Sequence, residues 1–370
     1  MSHRITDVVA WEAGNKNIAR RNLIWSVAAE HIGFSAGDKF LLGATARLVG
    51  ACLRIPYTLA TATFGGPNRT VFSAFVLLIP TGVPMIQLVG LLVIATAGSR
   101  QPYWVCALAV AGIGAALYMD NLEQHRIDLT AMGAILRDRD TWVISLLYIG
   151  TFGSFVGFAF AFVQVLQINF AAGGQGAAKA SLHAAQIAFV GPLLGSVSRV
   201  YGGKLADRIG GGRVTLWVFA GMILGAGVLV GVSTLNDHTS GPATAAMLGG
   251  YVVGFIALFL LSGIGNGSVY KMIPSIFEAR SRSLNVSESE RVAWSRALIG
   301  FAGAVGALGG VGINLALRQS YLSSHSATSA FWIFLAFYAL ASVVTWLMYV
   351  RRPVSVPVAA AESVPDLARA

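Results

Sequence analysis

Leu194-Gly195-Ser196-Val197-Ser198-Arg199-Val200 places a guanidinium inside an apolar stretch, and Val49-Gly50-Ala51-Cys52-Leu53-Arg54-Ile55 does the same earlier in the chain. The two arginines lie 145 residues apart (199 minus 54). The same offset pairs Phe64-Gly65-Gly66 with Ile209-Gly210-Gly211 and Thr70-Val71-Phe72 with Thr215-Leu216-Trp217, without a gap. An arginine at bilayer depth costs at least ~2.5–3.5 kcal/mol, so one that persists faces a cavity, a partner or a substrate. Two of them in an internal repeat point to a membrane carrier built from two related halves, each supplying one guanidinium to a central anion site.

The composition agrees. Of the 370 residues 55% are apolar and only 11% charged, and mean hydropathy is +0.68; charged residues make up about a quarter of an ordinary soluble domain. The net charge of +10 fits the Lys and Arg that membrane proteins collect in cytoplasmic loops, so it gives no reason to expect a nucleic-acid partner. Cys52 and Cys106 both sit in apolar runs, which predicts neither a disulfide nor a metal site. Met1 to Asn15 is polar and carries acids, unlike a cleavable signal peptide. There is no Ser-His-Asp or Cys-His arrangement, and the glycine runs lie in apolar stretches and not after a strand. The expectation is therefore a carrier without a cofactor, not an enzyme.

Spanning a bilayer takes ~20 mostly apolar residues. Such runs cover about 40–63, 71–98, 102–119, 141–167, 183–205, 214–234, 244–277, 292–317 and 328–350, and a shorter candidate, 22–35, carries Glu30 and His31. The sequence thus predicts an all-α membrane protein with about ten transmembrane helices. The run 244–277 holds the closely spaced Gly263, Gly265 and Gly267 and then Pro274, which predicts a bent or interrupted helix. Placing the Lys- and Arg-rich loops on one side leaves only Lys39, Arg100, Lys179 and Arg318 on the other, roughly sixteen against four, so both termini are expected in the cytoplasm. Residues 120–140 form the one long polar connector. It separates an incomplete N-terminal bundle, 1–119, from a six-helix C-terminal bundle, 141–352; a loose tail follows at 353–370.

Gly202-Gly203-Lys204-Leu205-Ala206-Asp207-Arg208-Ile209-Gly210-Gly211 resembles the loop motif of the major facilitator superfamily between the second and third helices of each half. Its physics is a tight Gly-rich turn with an Asp near a helix N-terminus and an Arg able to pair with it. Gly263-Ile264-Gly265-Asn266-Gly267-Ser268-Val269-Tyr270-Lys271-Met272-Ile273-Pro274 resembles the second of two Gly-Asn-rich signatures of the nitrate/nitrite porter (NarK-type) family. Leu53-Arg54-Ile55-Pro56-Tyr57 and the run from Ser145 to Phe155 resemble that family's second and seventh helices. The first Gly-Asn-rich signature has no counterpart here. Phe75 to Thr81 resembles the family's third helix, while Gly82 to Leu88 already resembles the end of its fifth. The chain therefore reads as a porter with internal deletions, about ten crossings instead of twelve.

The resemblance implies transport of nitrate and nitrite by alternating access, as exchange of one anion for the other, by a monomer in the inner membrane. Nitrate is planar and singly charged, and a guanidinium offers planar paired donors that fit two of its oxygens. Arg54 and Arg199 would clamp the anion. Tyr148 and Phe152, at i and i+4, share a helix face; by resemblance Tyr148 donates its hydroxyl and Phe152 stacks on the anion. Gly263, Gly265 and Gly267 would let helix backbones approach, with amides near Asn266 reaching the anion. Gly300, Gly303, Gly306 and Gly310 are read as packing alone. Arg47 lies two turns before Arg54 on the same face, where the family normally has a neutral residue. The competing readings are a deletion relic that inserts but does not cycle, and a superfamily carrier of another small anion.

Overall fold

The computed structural model describes residues 37–41, 44, 45, 47, 48, 52, 133, 135–284 and 288–351. Among these every regular element is helical, and six helices are long and apolar enough to cross a membrane. They are α1 (Arg139–Ala172), α2 (Lys179–Ile209), α3 (Gly211–His238), α4 (Ala245–Ile276), α5 (Ala297–Ser324) and α6 (Thr328–Val350). Each overlaps one of the last six apolar runs read from the sequence. A bilayer offers the backbone no hydrogen-bond partners, so apolar runs of this length satisfy their own N–H and C=O groups as helices. Of the earlier spans only a few residues of 40–63 are described, and Glu30, His31 and Arg54 lie outside the described residues.

Local chemistry sets the helix ends. The Asp138 carboxylate accepts from the amide of Asp140 at 3.1 Å and caps α1. Between α2 and α3 the chain turns through Gly210 at φ 91°, a left-handed conformation that favours glycine. The regular hydrogen-bond ladder of α2 breaks at Phe189, whose backbone stays helical at φ −61° and ψ −25°, just ahead of Pro192, whose ring crowds the carbonyl four residues back. The expected interruption of 244–277 does not occur: the helix runs unbroken from Ala245 to Leu284 through Pro274. The glycines there serve close packing. A Cβ on Gly263 would strike the Gly195 carbonyl, and one on Gly202 would strike Ile264, so α2 and α4 meet backbone to backbone.

An aromatic cluster fills the bundle. Phe162 stacks on Phe255 with centroids 4.7 Å apart, and Phe158 meets Phe255 and Phe334 edge-on at 5.7 and 5.6 Å. Trp217, Leu224, Val253 and Trp332 point outward and are exposed, as lipid-facing side chains are.

Candidate functional site

Tyr148 immediately precedes a π-helical turn of α1, Ile149–Gly153, and Phe152 lies within it. Such single widened turns are frequent at functional sites; a second one ends α6 at Trp346–Val350. Both side chains are buried, and their rings stack on one another with centroids 5.3 Å apart and planes 23° apart. The Tyr148 ring rests on α5 at Gly306, where a Cβ would come within 2.6 Å of Cδ1. One turn on, a Cβ on Gly153 would lie 2.6 Å from the Gly306 carbonyl and 2.7 Å from the Gly309 Cα. The glycines of α5 thus seat the aromatic pair.

Arg199 leaves α2 within the stretch where that helix meets α4 backbone to backbone. A Cβ on Gly267 would strike the Arg199 carbonyl oxygen, so only glycine allows this approach. The Arg199 side chain is exposed, and its guanidinium carbon lies 5.7 Å from the centre of the Tyr270 ring, three residues beyond Gly267, a cation–π arrangement. Tyr270 was not singled out by the sequence; its i+3 spacing from Gly267 was the available signal.

The helix registers bring these groups into one layer. α1 and α2 run antiparallel, with Gly195 facing Phe155 and Gln167 donating to Ser181 at 2.7 Å. One turn along, Arg199 falls at the depth of Thr151. A Cβ on Gly265 would lie 2.6 Å from Thr151 Cγ2, so α4 joins at the same depth. Asn266 is buried there, and its Oδ1 has no hydrogen-bond partner. Arg199, Thr151–Phe152, Gly265–Gly267 and Gly306 therefore form a belt across α2, α1, α4 and α5. Arg54, the proposed partner of Arg199, lies outside the described residues.

At the Arg213 end, Asp207 meets Lys271 of α4 at 2.9 Å, not an arginine of its own loop. Asp207 lies at the end of α2, and the close α2–α4 contact carries it to Lys271. Both groups are half exposed. Thr215 and Ser268 are 3.0 Å apart, and Ser268 donates to the Gly211 carbonyl at 2.9 Å, joining α3 to α4. Among the described residues no three His, Cys, Asp or Glu gather as a metal site.

No family model matches the chain. It is 30% identical to the nitrate/nitrite transporter NarU of Salmonella typhimurium over 450 aligned positions, covering 92% of this chain and 94% of the relative. Identity to the Escherichia coli nitrate/nitrite transporter NarU is 29%, covering 93% and 95%. The Bacillus subtilis nitrite extrusion protein is 30% identical over 69% of this chain and 56% of its own length. In the Salmonella comparison, 92% of 370 residues is about 340, so about 110 of the 450 positions have no residue in this chain.

Proposed function

Because the chain belongs to the nitrate/nitrite porter family of the major facilitator superfamily, we propose that it carries nitrate and nitrite across the cell membrane by alternating access, exchanging one anion for the other, with Arg54 and Arg199 clamping the anion between two halves. The observation that carries this reading is the belt around Arg199. A guanidinium on a helix locked by Gly267 stands at the depth of a buried aromatic pair and of the buried Asn266 side chain. A planar anion takes paired donors from each guanidinium. Phe152 offers it a ring face and Tyr148 a hydroxyl, while Asn266 is the α4 contribution and Gly263, Gly265 and Gly267 hold α4 close enough to α1 and α2 for it to take part. Two positive charges in the site disfavour return of the empty carrier, which suits exchange. In this reading the protein is a monomer with both termini in the cytoplasm.

The test is counterflow of labelled nitrite into liposomes loaded with nitrate, using the purified chain. Rapid counterflow that Arg199→Lys abolishes supports the reading. Counterflow unchanged by that substitution removes the clamp from it.

The roughly 110 aligned positions without a residue here favour a second reading, a chain that inserts and binds but does not cycle. Nitrite binding without counterflow would support that one.

A further inference from the structure

Arg47 is a second guanidinium at membrane depth, outside the belt around Arg199. Its Nε donates to the Val156 carbonyl of α1 at 3.1 Å, and its guanidinium carbon lies 5.0 Å from the centre of the Phe160 ring. On the α5 side Gly310 makes room, since a Cβ there would lie 3.1 Å from Arg47 Cδ. At the other end of the same segment Phe40 stacks on Tyr321, centroids 5.4 Å apart, and Gly37 lies under Leu322 and Arg318. The described residues from Gly37 to Arg47 therefore follow α5 in the antiparallel sense, from the Arg318 level to the Gly310 level.

Polar groups mark the path between these levels. α1 and α5 are parallel, with Gly153 on Gly309 and Gly157 on Ile313, so continuing that register puts Gln164 level with Ser320, about half a turn beyond Arg318. Gln164 Oε1, Asn314 Oδ1 and Arg318 Nε are buried without a hydrogen-bond partner. Asn314 is fully buried, and its amide nitrogen donates to the Gly310 carbonyl at 2.7 Å. Gly310 to Arg318 is eight residues, or ~12 Å of helix. An unsatisfied buried polar group costs about 1–3 kcal/mol, so three on one short row call for a solvent or ligand that completes them.

We infer that Arg47, Asn314, Gln164 and Arg318 form a second anion site, on the route from the Arg318 end of the bundle to Arg199, taking a hydrated small oxyanion of the nitrate and nitrite class. The guanidiniums donate to the anion oxygens. The amide oxygens cannot face a bare anion and instead accept from the waters it retains. Val156 and Phe160 lie four and eight residues beyond Phe152, so this site is ~6–12 Å from the belt along α1. The Lys/Arg bias assigns the Arg318 end to the outer face, which makes it a waiting position for an incoming anion. The inference rests on the belt being the main site for the same anions.

Sodium nitrite is titrated against the full chain in nanodiscs and followed by calorimetry, with gluconate as the control anion. Two binding events are expected. Arg199→Lys weakens one at least tenfold, and Arg47→Gln weakens the other at least tenfold while leaving the first. Arg318→Gln weakens the same event as Arg47→Gln and serves if that variant does not fold. A single event, lost in Arg199→Lys but untouched by Arg47→Gln and Arg318→Gln, overturns the second site and leaves the proposed function standing. Binding that Arg199→Lys does not change, while Arg47→Gln still removes one event, fails the clamp and keeps the second site. No nitrite response in the unmutated chain overturns both.

Discussion

Gly267 of α4 presses on the backbone of Arg199 so closely that a Cβ would collide with the Arg199 carbonyl oxygen. The backbone that carries the guanidinium is thus set by a residue that has no side chain, on another helix. That relationship makes Gly267 testable apart from the charge it positions.

Gly267→Ala should push α2 away from α4. Overpacking of this kind costs typically about 1–3 kcal/mol, so the thermal midpoint should fall. Nitrite affinity should also drop, because Arg199 moves with its helix. Thermal unfolding with and without nitrite reads both effects; unchanged affinity would detach Gly267 from the site.

Arg199→Lys keeps the charge and loses the planar fork. Losing a hydrogen bond to a charged group costs about 1.5–3 kcal/mol, which weakens binding roughly tenfold to more than a hundredfold. Membrane insertion should be unaffected, as gel filtration of the purified variant would report.

Arg54→Lys and Arg199→Lys act on one anion if the clamp is right. Their effects on nitrite binding should then be non-additive, the double variant losing little more than the worse single one. Full additivity would mean that the two arginines hold separate ligands.

Gly306→Ala places a methyl group against the Tyr148 ring. The ring has to shift, and with it the stacked Phe152. Weaker nitrite binding with a modest loss of thermal stability is the expected outcome. Gly227→Ala is the control, because a Cβ there meets nothing within 4 Å.

The Asp207–Lys271 pair should matter little to stability. Both side chains are half exposed, and exposed pairs contribute about 0–1 kcal/mol, less at high salt. A double-mutant cycle on thermal unfolding in low and high salt would check this.

The sequence by itself determined that the chain is a bundle of membrane helices, because length, apolarity and the need to satisfy backbone groups leave few alternatives. It also singled out Arg199 and Arg54, since charge is rare in an apolar stretch and the repeat makes each visible through the other. Tyr148 and Phe152 were legible only through resemblance, as aromatics on a membrane helix face lipid and core alike. Which face of each helix packs was decided by the tertiary structure. In a bilayer both sides of a helix are apolar, so hydrophobic periodicity carries little signal and close packing of small residues takes its place. That is why the glycines of α5 were read only as packing material, and nothing in the spacing shows that Gly306 seats Tyr148. The π turn that follows Tyr148 and contains Phe152, the cation–π contact of Arg199 with Tyr270 and the seating of Arg47 against Val156 and Phe160 likewise arise from the contact of one helix with another. Their sequence spacings are those of any continuous apolar helix, and only the register of neighbours fixes them.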